Sequence, residues 1–106
     1  MSGAPRVESI WAGALSGPAW LFCPADRPER FAKAADAADV VILDLEDGVA
    51  PADKEAARRA LVDVPLDPDR TVVRVNAHGT DDYALDCAAL DPTPYNAVML
   101  TKCESV

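Results

Sequence analysis

The stretch VVILDLEDGVAP, residues 40–51, decides how the rest of the sequence is interpreted. It begins with four consecutive aliphatic residues, a pattern that is typical of a strand buried on both faces in a parallel sheet. Three carboxylates, Asp44, Glu46 and Asp47, follow at the end of this apolar run. A strand that only filled a core would not need acidic side chains at its tip. The stretch therefore predicts a buried strand that carries chemistry at its carboxyl end.

Strand-like segments recur along the chain at residues 19–23, 40–45, 71–75 and 97–100. Segments with helical periodicity separate them, and this alternation is typical of βα units in a parallel sheet, so the fold class is predicted as α/β. A TIM (β/α)8 barrel needs about 250 residues, so 106 residues with about four βα units match its N-terminal portion. We expect residues 17–106 to form this incomplete barrel domain and residues 1–16 to form a flexible tail.

Capping residues and apolar stripes predict where the helices begin and which side of each helix faces the sheet. Asp26 and Glu29 match a capping box for the first helix. Pro51 is expected in the first turn of the second helix, and Thr80 at the N-cap of the third. The positions predicted to face the sheet are Phe31, Ala34, Ala35 and Ala38 in the first helix, and Ala56, Ala57, Ala60 and Leu61 in the second.

Composition excludes several classes of function. The formal net charge of −8 argues against nucleic acid and anionic membranes as partners, because phosphate binding needs clustered Lys and Arg. The three cysteines form no CxxC pair and His78 is the sole histidine, so we expect neither a disulfide framework nor a multi-histidine metal site. The N-terminal segment lacks the pattern of a signal peptide or a membrane span, and a cytoplasmic location is predicted.

Ionisable side chains replace apolar ones toward the carboxyl end of three predicted strands. Because side chains alternate across a strand, every second residue should share one face. In a parallel barrel this face points inward, and active sites form at the carboxyl ends of the strands. The pattern thus predicts a polar mouth above an apolar floor. The sets that share the inward face are Val40, Ile42, Asp44 and Glu46; Val72, Arg74 and Asn76; and Val98, Leu100, Lys102 and Glu104.

Arg74 would be a fixed positive charge on this inward face, and a buried cation without a partner is strongly unfavourable. Its partner could be Glu46 or Glu104, or a substrate carboxylate bound through two parallel hydrogen bonds. Glu46 and Asp47 face opposite ways on an ideal strand and converge only if the chain turns, which Gly48 permits. Such a pair of carboxylates could bind a divalent cation through water or orient a base.

Four blocks of the sequence, taken in order, resemble the HpcH/HpaI aldolase and citrate lyase β-subunit family. The resemblance is nearest to the stand-alone citrate lyase β-subunit-like proteins of actinobacteria. The blocks are GPAWLFCPADRPERFAKA (17–34), VVILDLEDGVAPADKEAAR (40–58), TVVRVNAHGT (71–80) and VMLTKCES (98–105).

The resemblance implies a TIM barrel that assembles as a homotrimer or a higher homo-oligomer. It also implies a lyase that cleaves or forms a carbon–carbon bond in a β-hydroxyacyl thioester, such as citryl-CoA or malyl-CoA, through an enolate stabilised by Mg²⁺. In the family pattern Arg74 binds the carboxylate of the oxo-acid, and Glu46 and Asp47 are the catalytic acids that flank the metal and its waters. The positions with supporting roles are Asp44, Asn76, Lys102 and Glu104.

Two features depart from the family pattern. The family's metal-ligating acids come from later strands, so we expect them beyond Val106, and Thr101 stands where the family usually has proline. The stop at Val106 favours an alternative, a truncated and catalytically inactive half-barrel. A small flavodoxin-like binding module is disfavoured, because PADRPER (24–30) lacks a glycine for a phosphate loop after the first strand.

Overall fold

The computed structural model describes residues 19–101, so the predicted tail, Lys102 and Glu104 lie outside the described residues. Within this range four strands alternate with three α-helices, and the predicted α/β class is confirmed. Single turns of 3-10 helix lie at Pro28–Arg30, Pro51–Asp53 and Pro68–Arg70. The elements in chain order are β1 (Trp20–Pro24), α1 (Phe31–Ala37), β2 (Val40–Asp44), α2 (Lys54–Asp63), β3 (Thr71–Val75), α3 (Asp81–Leu90) and β4 (Val98–Leu100).

The four strands form one parallel sheet in the order β1-β2-β3-β4, so each strand lies beside the one before it in the chain. The register pairs Pro24 with Asp44, and Asp44 with Arg74. Because all strands run in the same direction, their carboxyl ends lie along one edge of the sheet. Asp44, the last residue of β2, is therefore a direct neighbour of Arg74, one residue before the end of β3.

The main core lies between the sheet and the helices, where alternate strand residues such as Leu43 and Val73 are fully buried. The predicted stripe of α1 packs into this core, although Ala35 is only partly buried. The predicted stripe of α2 is narrower than expected, since Ala56 is exposed. A smaller cluster on the other face of the sheet contains Ile42, Val72 and Ala97, with Trp20, Val40 and Met99 packed against it.

The predicted start of α1 was wrong, whereas that of α3 was right. Asp26 and Glu29 form no capping box, because the 3-10 turn that starts at a proline delays the α-helix until Phe31 and no side chain caps either segment. At α3, the hydroxyl of Thr80 accepts a hydrogen bond from the backbone N–H of Tyr83 at 3.1 Å, as a Thr N-cap should.

The two edge strands expose large apolar side chains. Leu21 and Phe22 are exposed on β1, and Leu100 on β4 is 65% exposed. An open strand edge also presents backbone groups that can pair with a further strand. In the part of the chain that the structure describes, none of the helices has the length and apolar character needed to cross a membrane.

Candidate active site at the carboxyl ends of β2 and β3

Asp44, the last residue of β2, is 3% exposed, and its carboxylate accepts four hydrogen bonds. Two come from backbone N–H groups, those of Glu46 at 2.8 Å and Gly48 at 2.9 Å. The other two come from Nε and Nη2 of Arg74, at 3.0 and 2.7 Å. A carboxylate offers about four lone-pair positions, and all of them are used. Asp44 is therefore a structural anchor and has no acceptor position left for a metal ion or a substrate.

Asp44 is the direct partner of Arg74, which the sequence analysis did not include among its alternatives. Oε1 of Glu46 lies further from the guanidinium, at 3.7 Å from Nη2. A sequence signal for the pair existed, because strand alternation places Asp44 and Arg74 on the same inward face. The structure adds that the two are register partners on adjacent strands. The other candidate partner, Glu104, lies outside the described residues.

The contacts of this pair determine its protonation state. Burial alone would raise the pKa of Asp44, but the hydrogen bonds from Arg74 and from two backbone N–H groups outweigh burial and lower it below the usual value. The hydrogen bond to Asp44 raises the pKa of Arg74, against the smaller effect of burial. Both groups are consequently charged near neutral pH.

One terminal nitrogen of the Arg74 guanidinium, Nη1, has no hydrogen-bond partner among residues 19–101. Cζ of Arg74 lies 5.1 Å from the ring centroid of Phe22 on β1, which is within the range of a cation–π contact. Asp44 engages Nε and Nη2, and residues 19–101 provide no hydrogen-bond acceptor for Nη1. The Arg74 side chain is 24% exposed, so the described residues do not fully enclose it.

Glu46 and Asp47 lie in a turn directly after β2, which we call the acidic turn (residues 45–49). The backbone N–H of Val49 donates to the carbonyl of Glu46 at 3.3 Å, so the predicted change of direction at Gly48 is present. Glu46 is partly buried beside Arg74, and Asp47 is exposed. The negative charges of both residues add to the effect of Asp44 on the pKa of Arg74. The acidic turn thus presents two carboxylates close to the guanidinium.

Gly48 is required for space rather than for an unusual backbone angle. Among the described glycines only Gly79 has a positive φ, whereas a Cβ added to Gly48 would lie 2.9 Å from Oδ2 of Asp44. We therefore expect Gly48→Ala to lower the free energy of unfolding by about 1–3 kcal/mol, the usual range for overpacking. Chemical denaturation measures this change. In an Asp44→Ala background the same substitution should cost clearly less, and equal costs would contradict the close contact.

A buried network that the sequence analysis missed lies beneath the acidic turn. Nζ of Lys54, the first residue of α2, donates to the carbonyls of Leu45 and Glu46, both at 2.9 Å, and to Oδ1 of Asn76 at 3.1 Å. The spacing from Lys54 to Ala57 and Leu61 places all three on the inward side of α2, so a lysine at an apolar position was the available signal.

Asn76 belongs to this network and not to the inward face predicted for it beside Arg74. Its side-chain amide donates to the carbonyl of Leu45 at 3.0 Å and to Oδ2 of Asp86 at 2.7 Å. β3 ends at Val75, so the strand alternation no longer applies at position 76. The fully buried carboxylate of Asp86 on α3 draws the amide toward the helices, and Asp86 is itself paired with Arg58 at 2.8 Å.

The described residues do not fit a magnesium site on their own. Among residues 19–101 there is no group of three or more His, Cys, Asp and Glu side chains arranged to hold a metal ion. The four hydrogen bonds to Asp44 occupy its oxygens. Glu46 and Asp47 in the acidic turn are therefore the two carboxylates at the end of β2 that could bind a metal ion. Two carboxylates could contact a hydrated Mg²⁺ at one side, but they do not complete its octahedral shell.

Comparison with known proteins identifies the family of this arrangement. Residues 19–105 match the family HpcH/HpaI aldolase/citrate lyase. The citrate lyase subunit beta-like protein of Mycobacterium tuberculosis is 73% identical over 90 residues, which are 85% of this chain and 33% of that protein. The L-malyl-CoA/beta-methylmalyl-CoA lyase of Cereibacter sphaeroides is 48% identical over 64 residues, 58% of this chain and 20% of that protein. The chain thus spans a third or less of the length of these curated relatives.

A solved structure shows the same architecture. The crystal structure of the protein CitE from M. tuberculosis in complex with magnesium, acetoacetate and coenzyme A superposes with a TM-score of 0.81 at 74% identity. The match covers 84% of this chain and 33% of that one, so the four parallel strands and three α-helices correspond to part of a TIM barrel. Since the family match extends over most of the chain and contains both Arg74 and the acidic turn, the chain belongs to the HpcH/HpaI aldolase/citrate lyase family.

Proposed function

We propose that this chain is the N-terminal part of a carbon–carbon lyase of the citrate lyase β-subunit type. Its substrate would be a β-hydroxyacyl thioester such as citryl-CoA or malyl-CoA, which it cleaves or forms through an enolate. The observation that carries the proposal is the position of Arg74. Asp44 fixes the guanidinium at the sheet edge beside the acidic turn, and Nη1 has no hydrogen-bond acceptor among residues 19–101.

Arg74 would bind the carboxylate of the oxo-acid part of the substrate. Its orientation is set before binding, because Asp44 holds two of its nitrogens and Phe22 covers one face. A pre-oriented guanidinium loses little conformational entropy when it forms parallel hydrogen bonds with a carboxylate. This supports Arg74 as the group that positions the substrate for cleavage.

Glu46 and Asp47 would supply the carboxylates for proton movement. When the carbon–carbon bond breaks, the β-hydroxyl loses its proton and its oxygen becomes the carbonyl oxygen of the oxo-acid, while the thioester enolate takes up a proton at carbon. Carboxylates that lie within reach of a substrate bound to Arg74 are suited to accept and return such a proton. The M. tuberculosis CitE crystal contains magnesium, and by family resemblance we propose a Mg²⁺ requirement here too, with ligands that lie outside residues 19–101.

A catalytically inactive half-barrel is the second candidate, and the size of the complete gene product distinguishes it from the lyase. Leu21 on β1 and Leu100 on β4 are exposed where further strands of a closed barrel would pair.

The family resemblance also supports two further parts of the proposal. The first is assembly as a homotrimer or higher homo-oligomer. The second is a cytoplasmic location, which the free thiols of Cys23 and Cys87 support.

The test begins with the intact mass of the complete gene product, which shows whether a barrel-length protein carries this sequence. A barrel-length product should cleave citryl-CoA or malyl-CoA, release a free oxo-acid, and stop when EDTA removes Mg²⁺. Absence of cleavage with both thioesters at millimolar Mg²⁺ would contradict the lyase. A native product of 106 residues without turnover would instead support the inactive half-barrel.

A further inference from the structure

Lys54 is a buried ammonium group that has no ion-pair partner among the described residues. It is 9% exposed, and each of its three N–H bonds is directed to a neutral oxygen, those of Leu45, Glu46 and Asn76. Burial of a charge without a counter-charge is costly, and an apolar side chain at this position would extend the buried stripe of α2 at lower cost. What the lysine provides instead is the fixed geometry of the two carbonyls that it binds.

Those two carbonyls belong to the first residues of the acidic turn. Lys54 holds the carbonyls of Leu45 and Glu46, while Oδ1 of Asp44 holds the backbone N–H of Glu46. The peptide units on both sides of the Glu46 side chain are therefore fixed, by a cation and by an anion. Neither contact uses the Glu46 carboxylate, which lies 3.7 Å from Nη2 of Arg74 at the candidate site.

Lys54 is in turn fixed by groups on the other elements. Asn76, which binds Nζ of Lys54, donates to Asp86 through its backbone N–H at 2.8 Å and through its side chain at 2.7 Å. Arg58 pairs with the same carboxylate at 2.8 Å. Since Asn76 lies two residues after Arg74, this network sets the acidic turn at a defined distance from the end of β3.

We infer that Lys54 is a positioning residue that holds Glu46 and Asp47 in register with Arg74. This inference rests on the proposed lyase function, in which those acids move the proton. Arg74 is held separately by Asp44, so loss of Lys54 should leave binding of the oxo-acid carboxylate in place. The substitution should therefore lower kcat and leave KM nearly unchanged.

The test uses Lys54→Met in the complete gene product, because methionine keeps the unbranched stem and removes all three donors. Hydrogen–deuterium exchange read by mass spectrometry should be at least about tenfold faster in residues 45–49 and unchanged in 71–75. With the thioester substrate kcat should fall about 10–100-fold, the scale of a misplaced catalytic group, and KM should change less than about twofold. Lys54→Arg, which keeps the charge and N–H donors, should restore part of both signals.

Lys33→Met is the matched control, because Lys33 is exposed on α1, and it should change neither exchange nor kcat. If Lys54→Met does not fold, Lys54→Gln is used in its place. It too should show faster amide exchange in residues 45–49 and no change in 71–75. The inference would be overturned if amide exchange became faster in 71–75 as well as in 45–49. It would also be overturned if exchange became faster in 45–49 but kcat did not change. If the wild type is inactive, the proposed lyase function is wrong. Amide exchange in residues 45–49 of wild type and Lys54→Met would still show whether Lys54 holds the acidic turn.

Discussion

Replacement of Asp44 by asparagine is expected to lower the free energy of unfolding by about 2–4 kcal/mol. This loss is somewhat smaller than the usual loss of about 3–5 kcal/mol for breaking a buried ion pair, because Arg74 is 24% exposed. Asparagine removes the charge, leaves the guanidinium without its partner and turns an NH₂ group toward hydrogen-bond donors. Urea denaturation of the complete gene product measures the change.

Asp36→Asn is the matched control, since Asp36 is exposed on α1. Its effect on the free energy of unfolding should stay within about 0.5 kcal/mol. Equal effects of the two substitutions would show that the four hydrogen bonds to Asp44 contribute nothing beyond an ordinary surface carboxylate.

The contribution of Asp44 should also depend on pH, with a definite sign. Its pKa is lower in the folded chain than the ordinary Asp value of about 3.9 expected for the unfolded chain. A depressed folded-state pKa adds stability above the unfolded value, and this stability is lost as pH falls through the folded value. The stability difference between wild type and Asp44→Asn should therefore be constant near pH 7 and shrink below about pH 4. A difference that grew on acidification would contradict this sign.

Substitution of Arg74 by lysine is expected to weaken binding of an oxo-acid such as oxaloacetate about 30-fold, or about 2 kcal/mol. Lysine keeps the positive charge but lacks the planar fork, so it cannot bind both oxygens of Asp44 and still present an oriented edge to a second carboxylate. The KM of the thioester substrate should rise by a similar factor. Isothermal titration calorimetry with oxaloacetate and Mg²⁺ gives the first value, and steady-state kinetics gives the second.

Arg59→Lys provides the control for this substitution. Arg59 is exposed on α2 and its only ion pair in the described part of the chain, with Glu55, is 3.8 Å long and largely in solvent. Such pairs contribute little, so oxaloacetate affinity should not change. If Arg74→Lys also left affinity and KM unchanged, Arg74 would be excluded from the substrate site.

The fold could be predicted because its signals are local. β3 was predicted with its observed bounds. A turn rich in Asp and Pro comes before this mostly apolar run and a polar loop follows it, so both ends of the strand are marked in the sequence. The start of α1 was predicted wrongly because a capping motif shows only that a side chain could accept a hydrogen bond. It does not show that the backbone begins an α-helix there. The proline after Arg27 set a 3-10 turn, and no sequence motif shows how long such a turn continues.

The site could be predicted only in part, because its contacts join elements that are distant in sequence. The acidic turn and Arg74 followed from strand alternation, and their shared edge followed from the parallel sheet. Helical periodicity can place Lys54 on the inward side of α2, but the partners of Lys54 and Asp86 depend on how α2 and α3 pack on the sheet. The roles proposed for Lys102 and Glu104 remain predictions, since both lie outside the described residues.

The strand order β1-β2-β3-β4 also bears on how the chain acquires its structure. Each strand pairs with the strand made just before it, so loop closure at every step spans about one βα unit. A chain that emerges from the ribosome N-terminus first can add its strands one by one, without waiting for a distant partner. Asp44 and Arg74 can meet once β3 has emerged, so the ion pair that orients the site can form before β4 is synthesised.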